Sequence, residues 1–144
     1  MTNRTILLIV LAVLLGVTII GLAYYYAVES PFRLRTMEAR ARILKGEFTT
    51  FLDVRSDLEY WAGHYPGAVH IPTGQLLEDA YNMLPNLEEK ILVYCNTEAT
   101  SLAVSAGPHA GYNTGQRAKH ATHVLRSLGY KNVFYISGAY WTLL

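Results

Sequence analysis

A chain of 144 residues has room for one soluble domain and one further element, and a formal net charge of +1 gives no electrostatic basis for binding nucleic acid. Hydrophobic residues make up 51% of it and are spread unevenly. One cysteine, Cys95, stands alone, which fits a reducing compartment.

The first element is a run without charge from Thr5 to Val28. As a helix, 24 residues reach about 36 Å, enough to cross a hydrocarbon core of about 30 Å with some tilt. The apolar core of a cleaved signal peptide is shorter, about 7–15 residues, so the expectation is an uncleaved transmembrane helix over residues 1–28. Tyr24, Tyr25 and Tyr26 suit a membrane–water boundary. Arg4 is the one basic side chain before the span, whereas Arg33, Arg35, Arg40, Arg42 and Lys45 follow it. That bias predicts a single-pass membrane protein with its second part, residues 29–144, on the cytoplasmic side.

Phe32-Arg33-Leu34 reads as a short edge strand, and Thr36 as the cap of a helix from Met37 to Lys45 that Gly46 ends. Thr49 to Val54 is a β-branched and apolar strand. A short helix from Ser56 to Ala62 follows, then the turn cluster Gly63-His64-Tyr65-Pro66-Gly67. Ala68 to Ile71 reads as a strand stopped by Pro72, and Gln75 to Leu84 has apolar residues at helical spacing. Ile91-Leu92-Val93-Tyr94 reads as a strand buried on both faces, delivering Cys95 to its carboxyl end, where open α/β sheets bind ligands. A helix from Gly115-Gln116-Arg117 to Leu128, a stop at Gly129 and a last strand, Asn132 to Ile136, complete the chain. This alternation predicts an α/β fold with a mostly parallel sheet covered on both faces.

A thiol between a buried strand and a helix N-terminus is placed for nucleophilic chemistry, since the helix dipole and its orphan N–H groups favour thiolate; the alternative for a lone cysteine is a buried structural residue. Asp53 and Arg55 fall at a strand end, where their charges can pair with Glu59 and the adjacent turn, and His64 can hydrogen-bond backbone groups there. His64 and His70 lack a third ligand at useful spacing, so no metal site is expected. His120 and His123 suit a solvated helix face, and Trp61 and Trp141 are expected to pack. A Cys-x5-Arg phosphatase would need a basic residue at position 101, which is Ser101.

Two stretches together resemble the rhodanese family. Leu52-Asp53-Val54-Arg55, Glu59-Tyr60, Gly63-His64, Gly67-Ala68 and Ile71-Pro72 are similar to its first signature. Leu125, Leu128-Gly129-Tyr130, Val133, Gly138 and Trp141 are similar to its closing one, with Ala139 in place of the second glycine. The resemblance implies a five-stranded parallel sheet with helices on both faces, following one transmembrane helix. It implies no cofactor and a sulfurtransferase that carries sulfane sulfur on Cys95 as a persulfide. The donor would be thiosulfate or a persulfide, and the acceptor cyanide or a thiol. Asn96, Thr97, Gly115 and Gln116 would line the substrate, Arg117 would bind the anion, and Asp53, Arg55, Glu59 and His64 would form the structural motif.

The active loop of the single-domain members is short, C-x-x-G-x-[RK], and its inward N–H groups cradle the terminal sulfur. Here Cys95-Asn96-Thr97 and Gly115-Gln116-Arg117 would join as CNTGQR, but seventeen residues, Glu98 to Thr114, stand between them. Asn-Thr flanks both sides of this insertion. Closing a loop of twenty-two rather than five residues costs about 1.3 kcal/mol, which a domain stable by ~5–15 kcal/mol absorbs. Catalysis depends on fixed donor geometry and is more sensitive. Glu98 also takes the place of the loop glycine, and its carboxylate would repel thiosulfate. The alternative is a non-catalytic rhodanese-like module held at a lipid bilayer, with residues 98–114 as a loop for a protein partner.

Overall fold

The computed structural model describes residues 1–28, 30–96 and 116–144, in two compact units, Met1–Pro31 and Phe32–Leu144. The first unit is a single helix, α1 (Asn3–Val28). Its Asn3–Tyr24 stretch is long and apolar enough to cross a membrane, a property that signal sequences share.

The second unit runs β1 (Arg33–Leu34), α2 (Thr36–Leu44), β2 (Thr50–Asp53), α3 (Asp57–Ala62), β3 (Val69–His70), α4 (Leu76–Met83), β4 (Lys90–Tyr94), α5 (Gln116–Ser127) and β5 (Asn132–Ile136). Its strands form one sheet in the order β1-β5-β4-β2-β3, and every neighbouring pair is parallel. This is the α/β architecture that the strand–helix alternation predicts. The central strand β4 is paired on both sides, with Thr50 opposite Ile91 and Asp53 opposite Tyr94 towards β2, and Ile91 opposite Val133 towards β5.

The side-chain alternation of β4 divides the core into two layers. Ile91, Val93 and Cys95 pack with Leu76, Ala80 and Leu84 around α4 and with Ala118, Ala121 and Leu125 of α5. Leu92 and Tyr94 face the other layer, with Ala39 of α2, Phe48, Ile136 and Leu143. Because both faces are covered, the strand is apolar throughout instead of alternating.

Local signals explain most element ends. Gly46 adopts φ +67° and closes α2, with its N–H donating to Ile43 O at 2.8 Å and Glu47 N–H donating to Arg42 O at 3.0 Å. Gly129, at φ +101°, ends α5 in the same way, and Tyr130 N–H donates to Leu125 O at 3.1 Å. Thr36 differs from expectation. It is the first residue of α2, and Arg35 occupies the cap position in extended conformation without a side-chain cap bond. The predicted helix from Gln75 also starts differently, as a 3-10 turn over Thr73–Gln75 that becomes α at Leu76. The strand expected over Ala68–Ile71 pairs as β3 only at Val69 and His70.

Candidate functional site

The carboxyl ends of β2 and β4 are level, because Asp53 pairs with Tyr94 in the ladder. Val54 and Cys95 therefore leave the sheet side by side, and Arg55 comes level with Asn96, to which it donates. Cys95 is 2% exposed and sits in the α4/α5 layer, its Sγ donating weakly to Asn96 O at 3.6 Å.

Asp53 and Arg55 form a buried pair, 0% and 3% exposed. Asp53 Oδ2 accepts from Arg55 Nη2 at 2.6 Å and from the Tyr94 hydroxyl at 2.8 Å, while Oδ1 accepts from Arg55 N at 3.0 Å and Nε at 2.9 Å. Arg55 also donates to Gly63 O at 2.6 Å and to Asn96 Oδ1 at 3.2 Å. Burial pulls the Arg55 pKa down, but hydrogen bonding and charge from Asp53 outweigh it and the net direction is up. Burial and the Asp53 charge push the Tyr94 hydroxyl above its ordinary range. Gly63 is required where it stands. Its φ is +151°, and a Cβ there would collide with the hydroxyl of Tyr140.

Glu59 and Arg117 form the second pair, each 10% exposed. Arg117 Nη1 donates to Glu59 Oε2 at 2.8 Å and Nη2 to Oε1 at 2.9 Å, the bidentate fork that binds a carboxylate best. Ser56 caps α3 and donates to the same carboxylate from its N–H at 3.0 Å and its hydroxyl at 2.8 Å. Asn96, next to the cysteine, joins the two pairs: its Oδ1 accepts from Arg55 and its Nδ2 donates to Glu59. Burial lowers the Arg117 pKa, yet the Glu59 hydrogen bond and charge, together with the Cys95 charge, turn the net shift upward.

Burial opposes ionisation of Glu59, but hydrogen bonds from Arg117 and Ser56 and the Arg117 charge overcome it and hold the carboxyl at about 2, against an ordinary 4.5. A depressed pKa contributes stability that is fully present above the unfolded value and lost as pH falls through the folded one. The contribution, on the order of 3 kcal/mol at its ceiling, therefore disappears between pH 4.5 and about 2. Urea midpoints of the parent chain are expected to fall through this window and those of Glu59→Gln to fall less. Identical acid profiles would exclude a net contribution from the pair.

His64 serves the turn. Its Nδ1 lies 3.0 Å from Tyr60 O, and its ring stacks on Tyr60 at 3.8 Å. His70 stacks at 4.2 Å from the same phenol, while its Nε2 lies 2.9 Å from Arg55 O. The tryptophans correct an expectation: Trp61 is 77% exposed and Trp141 47% exposed, so neither is a core residue. Each instead sets an edge against its neighbouring tyrosine, Trp61 to Tyr60 at 5.5 Å and Trp141 to Tyr140 at 5.2 Å.

Of the expected site residues, Asp53, Arg55, Glu59, Cys95, Asn96 and Arg117 come together at one end of the sheet, and Gln116 opens α5 as an exposed residue. Thr97, Gly115 and the insertion 98–114 lie outside the described residues. Tyr60 stands in the first signature and Tyr94 on the buried strand, but their contacts with His64, His70 and Asp53 are not among the expectations. A lone hydroxyl on an aliphatic buried strand was the available signal for Tyr94, since a buried phenol needs a partner. Among the described residues, no group of three or more His, Cys, Asp or Glu side chains is arranged to hold a metal ion.

The profile of the rhodanese-like domain matches residues 36–141. A curated relative, rhodanese-like domain-containing protein 14, chloroplastic, from Arabidopsis thaliana, is 27% identical over 76% of this chain and 62% of its own length. The tRNA uridine(34) hydroxylase of Yersinia enterocolitica is 30% identical over 62% of this chain. The chain thus spans 62% and 22% of the lengths of these two relatives. Among solved structures, a human single-domain sulfurtransferase, TSTD1, superposes with a TM-score of 0.52 at 29% identity, covering 76% of this chain and 90% of that one.

Proposed function

Because the chain belongs to the rhodanese-like domain family, we propose that it is a sulfurtransferase that carries sulfane sulfur on Cys95 and is held at a membrane by α1. One observation carries the chemical part of this reading. The sole cysteine ends the central parallel strand, and the adjacent Asn96 ties both guanidinium–carboxylate pairs to it.

In the forward half-reaction the Cys95 thiolate attacks the outer sulfur of thiosulfate. A new S–S bond forms, the old one breaks, and sulfite leaves with its electron pair. In the second half, cyanide or a thiolate attacks the outer sulfur of the persulfide. Thiocyanate or a new persulfide departs, and the Cys95 thiolate returns. Intact-mass analysis of the full chain after thiosulfate treatment is expected to find one added sulfur atom, located on the peptide that contains Cys95. Cyanide should then remove it. Cys95→Ser should take up none, and uptake equal to the parent would assign the sulfur to another group.

A second reading, a membrane-tethered module without turnover, is favoured by one feature: the fork of Arg117 is already engaged by Glu59. The same mass experiment separates the two, since an unmodified parent chain supports the module. The membrane part rests on the apolar length of α1 and on the basic residues after it, which favour a cytoplasmic domain. In sealed cells an impermeant thiol reagent should leave an exposed cysteine engineered into the domain unlabelled. Rapid labelling would reverse the orientation.

A further inference from the structure

One face of α2 takes no part in the packing of the domain. At about 100° per residue, Met37, Arg40, Ala41 and Leu44 share a stripe, while Ala39, on the other side, is buried against the sheet. Met37 is 76% and Leu44 89% exposed, and Arg35, Arg40 and Lys45 stand exposed around them. Taking the proposed anchoring by α1 as its basis, we propose that this face docks on the anionic lipid headgroups of the leaflet where α1 ends.

Charge selects the occupant. The two acids of this stretch turn to Arg42: Glu47 Oε2 accepts from its Nε at 2.7 Å, and Glu38 Oε1 lies 4.0 Å from its Nη1. Arg42 lies over the rings of Phe48 and Phe134, so it belongs to the fold and not to the exposed face. Among the described residues, Arg35, Arg40 and Lys45 have no acidic partner. Cations beside apolar side chains suit an anionic membrane surface, where the apolar groups enter the acyl boundary and the cations meet phosphate. Two other exposed apolar pairs sit beside acids instead, Leu77 and Tyr81 with Glu78 on α4, and Leu58 and Trp61 with Asp57 on α3. An anionic leaflet would repel both.

Connectivity supplies the second argument. Four residues, 29–32, join α1 to β1, and they reach about 14 Å at full extension. Only Arg35 lies between β1 and α2. So short a tether gives α2 a high effective concentration of lipid, and a weak attraction suffices. α2 also covers the layer of the sheet opposite to that of Cys95. Lipid against α2 therefore leaves α4 and α5 facing water.

Position 44 reports the contact. The full chain carries Cys95→Ser and either Leu44→Cys or Glu78→Cys, labelled with an environment-sensitive dye. It is reconstituted into vesicles of phosphatidylcholine, with or without phosphatidylglycerol, that contain spin-labelled lipid as quencher. In anionic vesicles, quenching at position 44 is expected to exceed that at position 78 several-fold. In neutral vesicles or high salt the two positions should match. Arg40→Gln/Lys45→Gln should lower the docked-to-undocked ratio about 25-fold, fivefold for each cation. Both side chains are exposed, so the fold should hold, and far-UV spectra check it. Equal quenching at the two positions in anionic vesicles would overturn the docking face. So would equal quenching at position 44 with and without the anionic lipid, since charge would then not select the surface. Vesicle flotation separates the anchor from the face. A chain that floats with both lipids but shows no excess quenching keeps the anchor and loses the face, whereas one that floats with neither loses both.

Discussion

Asp53→Ala is expected to cost the domain about 3–5 kcal/mol, the range for breaking a buried ion pair from one side. Asp53 is fully buried and accepts hydrogen bonds from the Arg55 backbone and guanidinium and from Tyr94. Removing it leaves a guanidinium 3% exposed with, among the described residues, Gly63 O and the Asn96 side chain as neutral acceptors. The loss is a large share of a typical stability of ~5–15 kcal/mol, so the variant should unfold at much lower urea. Urea titration of the full chain in detergent, followed by far-UV dichroism, measures it. A decrease below about 1 kcal/mol would mean that water reaches Arg55 and replaces the lost carboxylate.

Deleting Glu98 to Thr114 is expected to raise the rate of thiosulfate-dependent persulfide formation on the order of 100-fold, the scale on which a fixed anion-binding donor acts. The deletion joins Cys95-Asn96-Thr97 to Gly115-Gln116-Arg117 as CNTGQR. It removes the carboxylate of Glu98 and restores a loop of the length that the short-loop members use. Stopped-flow mixing with thiosulfate, on parent and deletion chains with matching far-UV spectra, gives the comparison. A faster parent would make the insertion a working part of the site and would refute its reading as a disruption.

The sheet was legible wherever burial acts on a run of neighbours. Ile91 to Tyr94 are all buried because β4 has strands on both sides and helices on both faces, and that environment writes an unbroken apolar run into the sequence. Gly46 and Gly129 marked helix ends because the left-handed conformation needed there excludes most side chains. Thr36 misled because its residue type suits a cap, while the extended backbone that defines the cap belongs to Arg35. Trp61 misled for another reason. An aromatic ring gains from burial, but α3 presents that position to solvent, where the ring meets Tyr60 edge to face.

The site was legible as a list of residues and not as a set of partners. Asp53 and Arg55 are two apart, so their pairing is local. Glu59 and Arg117 are 58 apart and meet only because α3 and α5 converge above the ends of β2 and β4. The order of residues places Glu59 with Asp53, Arg55 and the adjacent turn, and the resemblance reserves Arg117 for the substrate anion. Hydrogen bonding joins Glu59 to Arg117 instead, with Asn96 bridging back to Arg55. Pattern and spacing do not encode which carboxylate a distant guanidinium meets.

The sheet order carries a consequence for how the molecule is made. β1, the first strand of the domain, has β5 as its neighbour, with Arg33 opposite Tyr135 and Leu34 opposite Ile136. A ribosome releases the chain from the N-terminus, so β1 emerges before β2, β3 and β4 and waits for a partner that is synthesised after all of them. α1 has left the ribosome by then, and β2, β3 and β4 can already pair among themselves. Parallel pairings between segments far apart in sequence form slowly, because the intervening chain must first be ordered. The nascent domain therefore keeps one side of β4 open until Asn132 to Ile136 arrive, and arrest of translation before those residues should yield a chain that proteases cleave readily.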